Sequence, residues 1–122
     1  KFGKNTRFDF LLSIKNFKAF LEVKNVTLKR KPKNAEFPDA ITSRGTKHIK
    51  ELLNAKKKGF KIYIIFIVQR EDCDKFSIAN DIDPEYSKTL SLAVKKKLNI
   101  LCYDCKFSSK RIEINKKIKI NI

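Results

Sequence analysis

The run Leu21-Glu22-Val23-Lys24-Asn25-Val26-Thr27-Leu28 sets an acid and a lysine two positions apart inside an otherwise apolar, β-branched stretch. Residues i and i+2 of a strand point to one face. Glu22 and Lys24 therefore stand side by side among side chains that favour burial. A buried charge is costly unless a partner, a metal or a substrate compensates it, so the pair is a candidate site.

The same patterning predicts the neighbouring elements. Residues 7–14 read as a strand, Lys15-Asn16 as a tight turn and Phe17 to Leu28 as the returning strand of a β-hairpin. With the loop centred on those two residues, Ile14 faces Phe17 and Asp9 falls opposite Glu22. Like charges directly opposed destabilise a sheet, and a divalent cation between them is the natural remedy. The stretch 29–34 is polar, basic and punctuated by Pro32, which predicts a loop.

A helix is expected to start at Thr42 or Ser43 as N-cap and to run to about Lys58, where Gly59 stops it. Gly45, Ile49, Leu52 and Leu53 form its buried stripe, and Gly45 suggests a close approach of the helix backbone to the sheet. Lys61 to Val68 is a nearly unbroken apolar run, the pattern of a central strand. Residues 71–83 read as an acidic loop, Asp83-Pro84-Glu85 as a capped helix start, and 85–97 as a helix with Tyr86, Leu90, Ala93 and Val94 on its apolar face. Asn99 to Phe107 is a further strand, and Arg111 to Ile122 a lysine-rich edge strand. Strand, crossover helix and buried strand together predict α/β layering.

Composition narrows the partners. The 122 residues, 42% hydrophobic with ten Phe, fit one domain with one core and exclude a disordered chain. No apolar run approaches the roughly 20 residues that cross a bilayer, and no cleavable leader pattern opens the sequence, so a soluble, cytoplasmic protein without a membrane partner is expected. Twenty-nine Lys and Arg against 13 Asp and Glu give +16. Polyanions, DNA above all, are the expected partners. A coding bias towards lysine, or another acidic partner, would also produce this charge.

Other chemistries fare poorly. Cys102 and Cys105 offer half a zinc site with no second cysteine pair, and three residues apart on a strand they face opposite ways, so core packing is expected. Only Gly3, Gly45 and Gly59 occur, which leaves no phosphate loop and no nucleotide cofactor. His48 lies beside the buried stripe of its helix and is open to two readings, a hydrogen-bonded structural histidine or a site residue. What remains is Asp9, then Glu22-x-Lys24 on the returning strand. Two carboxylates that hold Mg²⁺ (or Mn²⁺), with a lysine to orient water or stabilise the transition state, is a metal-dependent nuclease pattern. Gln69, at the end of the central strand, joins that catalytic set, with Asp39 and His48 as supporting or substrate contacts. Lys29, Arg30, Lys31 and Lys33, with Arg44 and Lys47 on the first turns of the helix, are candidate phosphate contacts; a merely solvated loop is the alternative for the first four.

These residues also carry a resemblance. Asn5-Thr6-Arg7-Phe8-Asp9-Phe10-Leu11-Leu12, Glu22-Val23-Lys24-Asn25-Val26-Thr27-Leu28, and Phe37-Pro38-Asp39-Ala40 followed by Thr42, Arg44, Gly45, Lys47 and His48 occur in this order, then Val68-Gln69-Arg70 and Asp81-Ile82-Asp83-Pro84-Glu85-Tyr86. In order and spacing the chain resembles the sugar fermentation stimulation protein family. The resemblance implies a restriction-endonuclease-like PD-(D/E)xK domain, a mixed β-sheet with helices on both faces, and a DNA-binding regulator of sugar, notably maltose, metabolism. An active metal-dependent DNA endonuclease is the alternative. Asp9, Glu22 and Lys24 fall on the superfamily's acid and Glu-x-Lys positions. The resemblance further implies that 1–122 is a C-terminal nuclease-like domain without the OB-like N-terminal domain and without its own usual first helix and strand.

Overall fold

The computed structural model describes residues 10–14, 17–108 and 111–122. In chain order the elements are β1 (Phe10–Ile14), β2 (Phe17–Val26), β3 (Leu28–Lys31), β4 (Asn34–Phe37), α1 (Ser43–Lys57) and β5 (Lys61–Val68). They continue as β6 (Lys75–Ile78), α2 (Pro84–Lys95), β7 (Asn99–Phe107), β8 (Ile112–Lys117) and β9 (Lys119–Asn121). Five strands form one mixed sheet in the order β1-β2-β5-β7-β8, and four form a second in the order β3-β4-β6-β9.

β1 and β2 are antiparallel with Ile14 opposite Phe17 and Phe10 opposite Leu21, the register that the hairpin count predicts. Asp9, Lys15 and Asn16 lie outside the described residues. β5 runs parallel between β2 and β7, with Glu22 beside Ile64 and Lys24 beside Phe66. Along β5 burial alternates, Ile62, Ile64, Phe66 and Val68 being buried and Tyr63, Ile65 and Ile67 half-buried. The buried side faces one core shared with Ile49, Leu52 and Ala55 of α1, Tyr86, Leu90 and Ala93 of α2, and Ala35 and Phe76 of the second sheet. Phe66 anchors it, its ring centroid 4.7 Å from Phe76 and 5.5 Å from Phe37. Both helices therefore share this core with the central strand.

Helix boundaries follow cap chemistry. Thr42 accepts a hydrogen bond from the Gly45 N–H at 2.9 Å, and Asp83 accepts one from Tyr86 N–H at 3.0 Å, each satisfying an otherwise orphaned donor. At the other end of α1, Gly59 N–H bonds Lys56 O and Phe60 N–H bonds Ala55 O, with Gly59 at φ +97°. This is the paired closure that favours glycine. α2 closes the same way through Lys97 and Leu98, but Lys97 takes the left-handed conformation at φ 77° without being glycine.

Four expectations are corrected. Residues 29–34 are not a loop: β3 and β4 pair as a hairpin turned at Pro32-Lys33, its polarity being that of an exposed strand flank. Residues 71–83 contain β6, whose alternation buries Phe76 and Ile78 while the acids flank it. The last edge strand is two strands in different sheets, broken at buried Ile118, whose N–H bonds Cys102 O at 2.8 Å. The close approach at Gly45 is to α2 and its own cap, not to the sheet. A Cβ there would lie 3.0 Å from Tyr86 Cε1 and 2.8 Å from Thr42 Oγ1.

Candidate functional site

β2 presents Glu22 and Lys24 to the core side of the five-stranded sheet, where His48 of α1 reaches Glu22. Glu22 is 4% exposed. Its Oε1 lies 3.5 Å from Lys24 Nζ and 3.4 Å from His48 Nδ1, the latter an ion pair when the imidazole carries its proton. His48 is buried one turn after Gly45, so the helix that glycine lets settle against Tyr86 is the one that delivers the imidazole to the carboxylate. The imidazole thus lies beside Glu22, a place that both readings of His48, structural partner and site residue, accommodate. A buried carboxylate between two nitrogen groups is compensated, where an isolated one would cost several kcal/mol or titrate, in the order of magnitude expected of buried charge.

Of the other candidate site residues, Asp9 lies outside the described residues. Gln69 is exposed, bonds Val26 O through its backbone N–H at 2.8 Å, and lies five positions past the Ile64 that neighbours Glu22. At about 3.3 Å per residue that is roughly 16 Å along the strand, so Gln69 is not brought to Glu22. Asp39 is exposed on the segment that leads into α1.

The basic residues divide into two groups. Arg30 forks onto Glu36 through Nε and Nη2, both at 2.8 Å, and onto Asp81 through Nη1 and Nη2, at 2.7 and 2.8 Å. Hydrogen bonds to Asp81 and then Glu36 hold the guanidinium well above its ordinary pKa, and Arg30 in turn pulls Asp81 down to about 2. This fork rims a cavity of about 580 Å³ that Asn80, Ser87 and Ser91 also line. Lys29 pairs with Asp72 at 3.2 Å, and Arg70 grips the same carboxylate and holds it well below the usual range. Lys31, Lys33, Arg44 and Lys47 are exposed and make no ion pair among the described residues.

Tyr86 carries a signal that helix periodicity hides. It counts as one apolar-face residue of α2, yet its hydroxyl is buried in reach of charge: burial first, then the Glu22 and Asp83 carboxylates, push the phenol well up. A polar tip on a core position is the sequence clue. The three cysteines are buried free thiols, and burial with the Asp104 carboxylate pushes Cys102 up to about 12. Among the described residues no three His, Cys, Asp or Glu cluster as a metal site, and no helix is long and apolar enough to cross a membrane.

The family model described as "Sugar fermentation stimulation protein RE domain" matches residues 1–111. A sugar fermentation stimulation protein homolog of Pelagibacter ubique is 57% identical over 98% of this chain and 51% of its own length. The homolog of Ruminiclostridium cellulolyticum is 44% identical over 98% of the chain and 52% of its own length. The chain thus spans about half the length of the relatives it matches. Among solved structures, Pyrococcus furiosus SfsA in complex with Ca²⁺ superposes with a TM-score of 0.89 at 27% identity, over 98% of this chain and 52% of that one. The mixed α/β arrangement is that of a restriction-endonuclease-like fold. With 111 of its 122 residues inside the family model, the chain belongs to the sugar fermentation stimulation protein family.

Proposed function

We propose that this domain binds DNA and holds a divalent cation, Mg²⁺ or Mn²⁺, at Glu22 together with Asp9, and that the full-length protein regulates sugar, notably maltose, metabolism through that binding. The observation that carries the reading is the Glu22 carboxylate, 4% exposed on an apolar strand with Lys24 Nζ at 3.5 Å. Its donor chemistry fits: a carboxylate oxygen is the ligand that hard divalent cations prefer. The Ca²⁺ bound by the Pyrococcus furiosus relative supports the same class of ion. The net charge of +16 supports DNA as the polyanion.

Bound there, the ion would neutralise charge on a phosphodiester oxygen and acidify water. This chain's own residues do the rest. Glu22 fixes the ion's place on the sheet, and His48 holds the carboxylate from α1. Lys24, on the same face, offers an ammonium to the negative charge that builds up as a phosphodiester is attacked. That placement of Lys24 favours hydrolysis of DNA as a second reading.

Full-length protein incubated with Mn²⁺ or Mg²⁺ and varied DNA substrates separates the two. Cleavage that Glu22→Ala abolishes supports the hydrolytic reading. Salt-sensitive binding without cleavage, unchanged by Glu22→Ala, supports binding alone. Failure to retain DNA at low salt sinks both.

A further inference from the structure

α1 and α2 run side by side in the same direction. Asp83 ties their starts together by accepting from the Thr42 and Tyr86 N–H groups, and near their ends Lys57 and Lys96 line one cleft. That cleft has a volume of about 440 Å³ and is walled by Lys50, Asn54, Lys56 and Lys57 of α1 and by Lys96 beyond α2, around Leu53. No carboxylate lines it, whereas the cavity at Arg30 and the clefts at Arg70 and at Ser43 are each lined by two. None of its four lysines makes an ion pair among the described residues. The helix dipole favours cations at a C-terminus, which accounts for Lys56 and Lys57 in the last turn of α1 and for Lys96 at the C-cap of α2. It leaves Lys50 unexplained, two turns and about 10 Å before Lys57 on the same ridge of the helix. Like charges gathered in a concave surface raise its potential and draw anions to it.

We propose that this cleft between the helices seats the sugar–phosphate backbone of DNA. The seat rests on the reading of the domain as DNA-binding and gives that binding a place on the helix layer. Lys50 follows His48 by two residues, about 200° around the helix, so the cleft and Glu22 lie on opposite sides of α1. The spread of the lysines selects the occupant. Charges on two helices, and over about 10 Å along one of them, call for an anion with several charges in a row, which a single carboxylate or phosphate does not carry. Leu53 and the methylene stems of the lysines form an apolar strip between the ammonium groups. That strip matches the deoxyribose between successive phosphates. Lysine acts as a point charge without fixed geometry, so contacts of this kind follow the backbone and carry no base sequence.

The test is fluorescence anisotropy of the full-length protein with a short DNA at several salt concentrations. Wild type is compared with Lys50→Gln combined with Lys96→Gln, and with Lys106→Gln combined with Lys117→Gln. Both pairs remove two exposed positive charges, the first from the two walls of the cleft and the second from β7 and β8 at the edge of the five-stranded sheet. Glutamine has nearly the helix propensity of lysine, so Tm should be unchanged. The cleft pair should reduce the slope of log affinity against log salt by about 2, about 1 for each phosphate no longer neutralised, and the edge pair should leave it as it is. Bound DNA should also shield Lys50, Lys57 and Lys96 from chemical acetylation, read by mass spectrometry. Equal slopes for the two pairs, or full acetylation of the cleft in the DNA complex, overturn this inference alone. So does poly-glutamate of the same charge that binds as tightly as DNA. Wild type that does not retain DNA at low salt overturns it together with the reading of the domain.

Discussion

Asp83 bonds the start of both helices: its Oδ2 accepts from the Thr42 N–H at 2.8 Å while its Oδ1 accepts from Tyr86 N–H at 3.0 Å. One buried carboxylate therefore caps α2 and pins the residue that caps α1. Since α1 brings His48 to Glu22, the placement of that helix against α2 passes through this side chain. Asp83→Ala strips a cap and leaves a second, half-buried N–H without its partner, a loss of about 2–4 kcal/mol. Asp83→Asn, which keeps one acceptor oxygen, should lose less than half of that. Urea unfolding of the three proteins measures the difference.

Lys97 closes α2 with φ 77°, a conformation that costs a side-chain-bearing residue about 1–2 kcal/mol and glycine almost nothing. Gly59 already occupies the matching position of α1. Lys97→Gly should stabilise the protein by about 0.5–1 kcal/mol once the greater freedom of glycine in the unfolded chain is set against the relieved strain. A raised midpoint of urea denaturation, with unchanged slope, is the expected outcome.

Acid should loosen the second sheet. Arg30 lowers Asp81 from the ordinary 3.8 to about 2, so the folded pKa is below the unfolded one. The stability this pairing contributes is complete above the unfolded value and is lost as pH falls through the folded value. Stability should hold down to about pH 4 and decline towards about pH 2, the interval between those two values. In Asp81→Asn that acid limb should be shallower, and added salt should shrink the difference because the pair is exposed. Thermal unfolding followed by circular dichroism across this range provides the check.

DNA affinity should divide along the same line as the ion pairs. Arg44 and Lys47 are exposed on the first turns of α1 without an ion pair among the described residues, whereas Arg30 is committed to Glu36 and Asp81. Neutralising Arg44 and Lys47 should weaken binding and reduce the slope of log affinity against log salt by about 1 for every phosphate these side chains neutralise. Arg30→Ala should instead lower Tm and leave that slope alone. Fluorescence anisotropy with a short duplex at several salt concentrations distinguishes the two.

The hairpin register, both helix caps, the stop at Gly59 and the central strand were legible in the sequence, because each rests on local chemistry: period-two burial, a side-chain acceptor before a helix, a glycine after one. What could not be read depended on long-range pairing. β3 and β6 are four residues each and partly exposed, so neither offers enough alternation to stand out from polar surroundings. The fork of Arg30 reaches Asp81 across fifty-one positions, and local pattern carries no trace of it. At the site, the Glu22–Lys24 adjacency follows from strand geometry alone, while the approach of His48 to Glu22 depends on how α1 is rotated against the sheet. Gln69 closes the central strand as its position suggests, yet the parallel register sets it well past Glu22.

The passage of the chain through Ile118 has a consequence for biosynthesis. β8 completes an antiparallel pair with a strand made only shortly before it, but β9 pairs in parallel with β6, more than forty residues upstream. During translation one edge of β6 therefore remains open, with its backbone donors and acceptors unclaimed, until residues 119–121 have left the ribosome. For that interval Lys75–Ile78 is available to strands of other nascent chains, and Lys75 with the flanking acids Asp72 and Asp74 stands as the guard that discourages them.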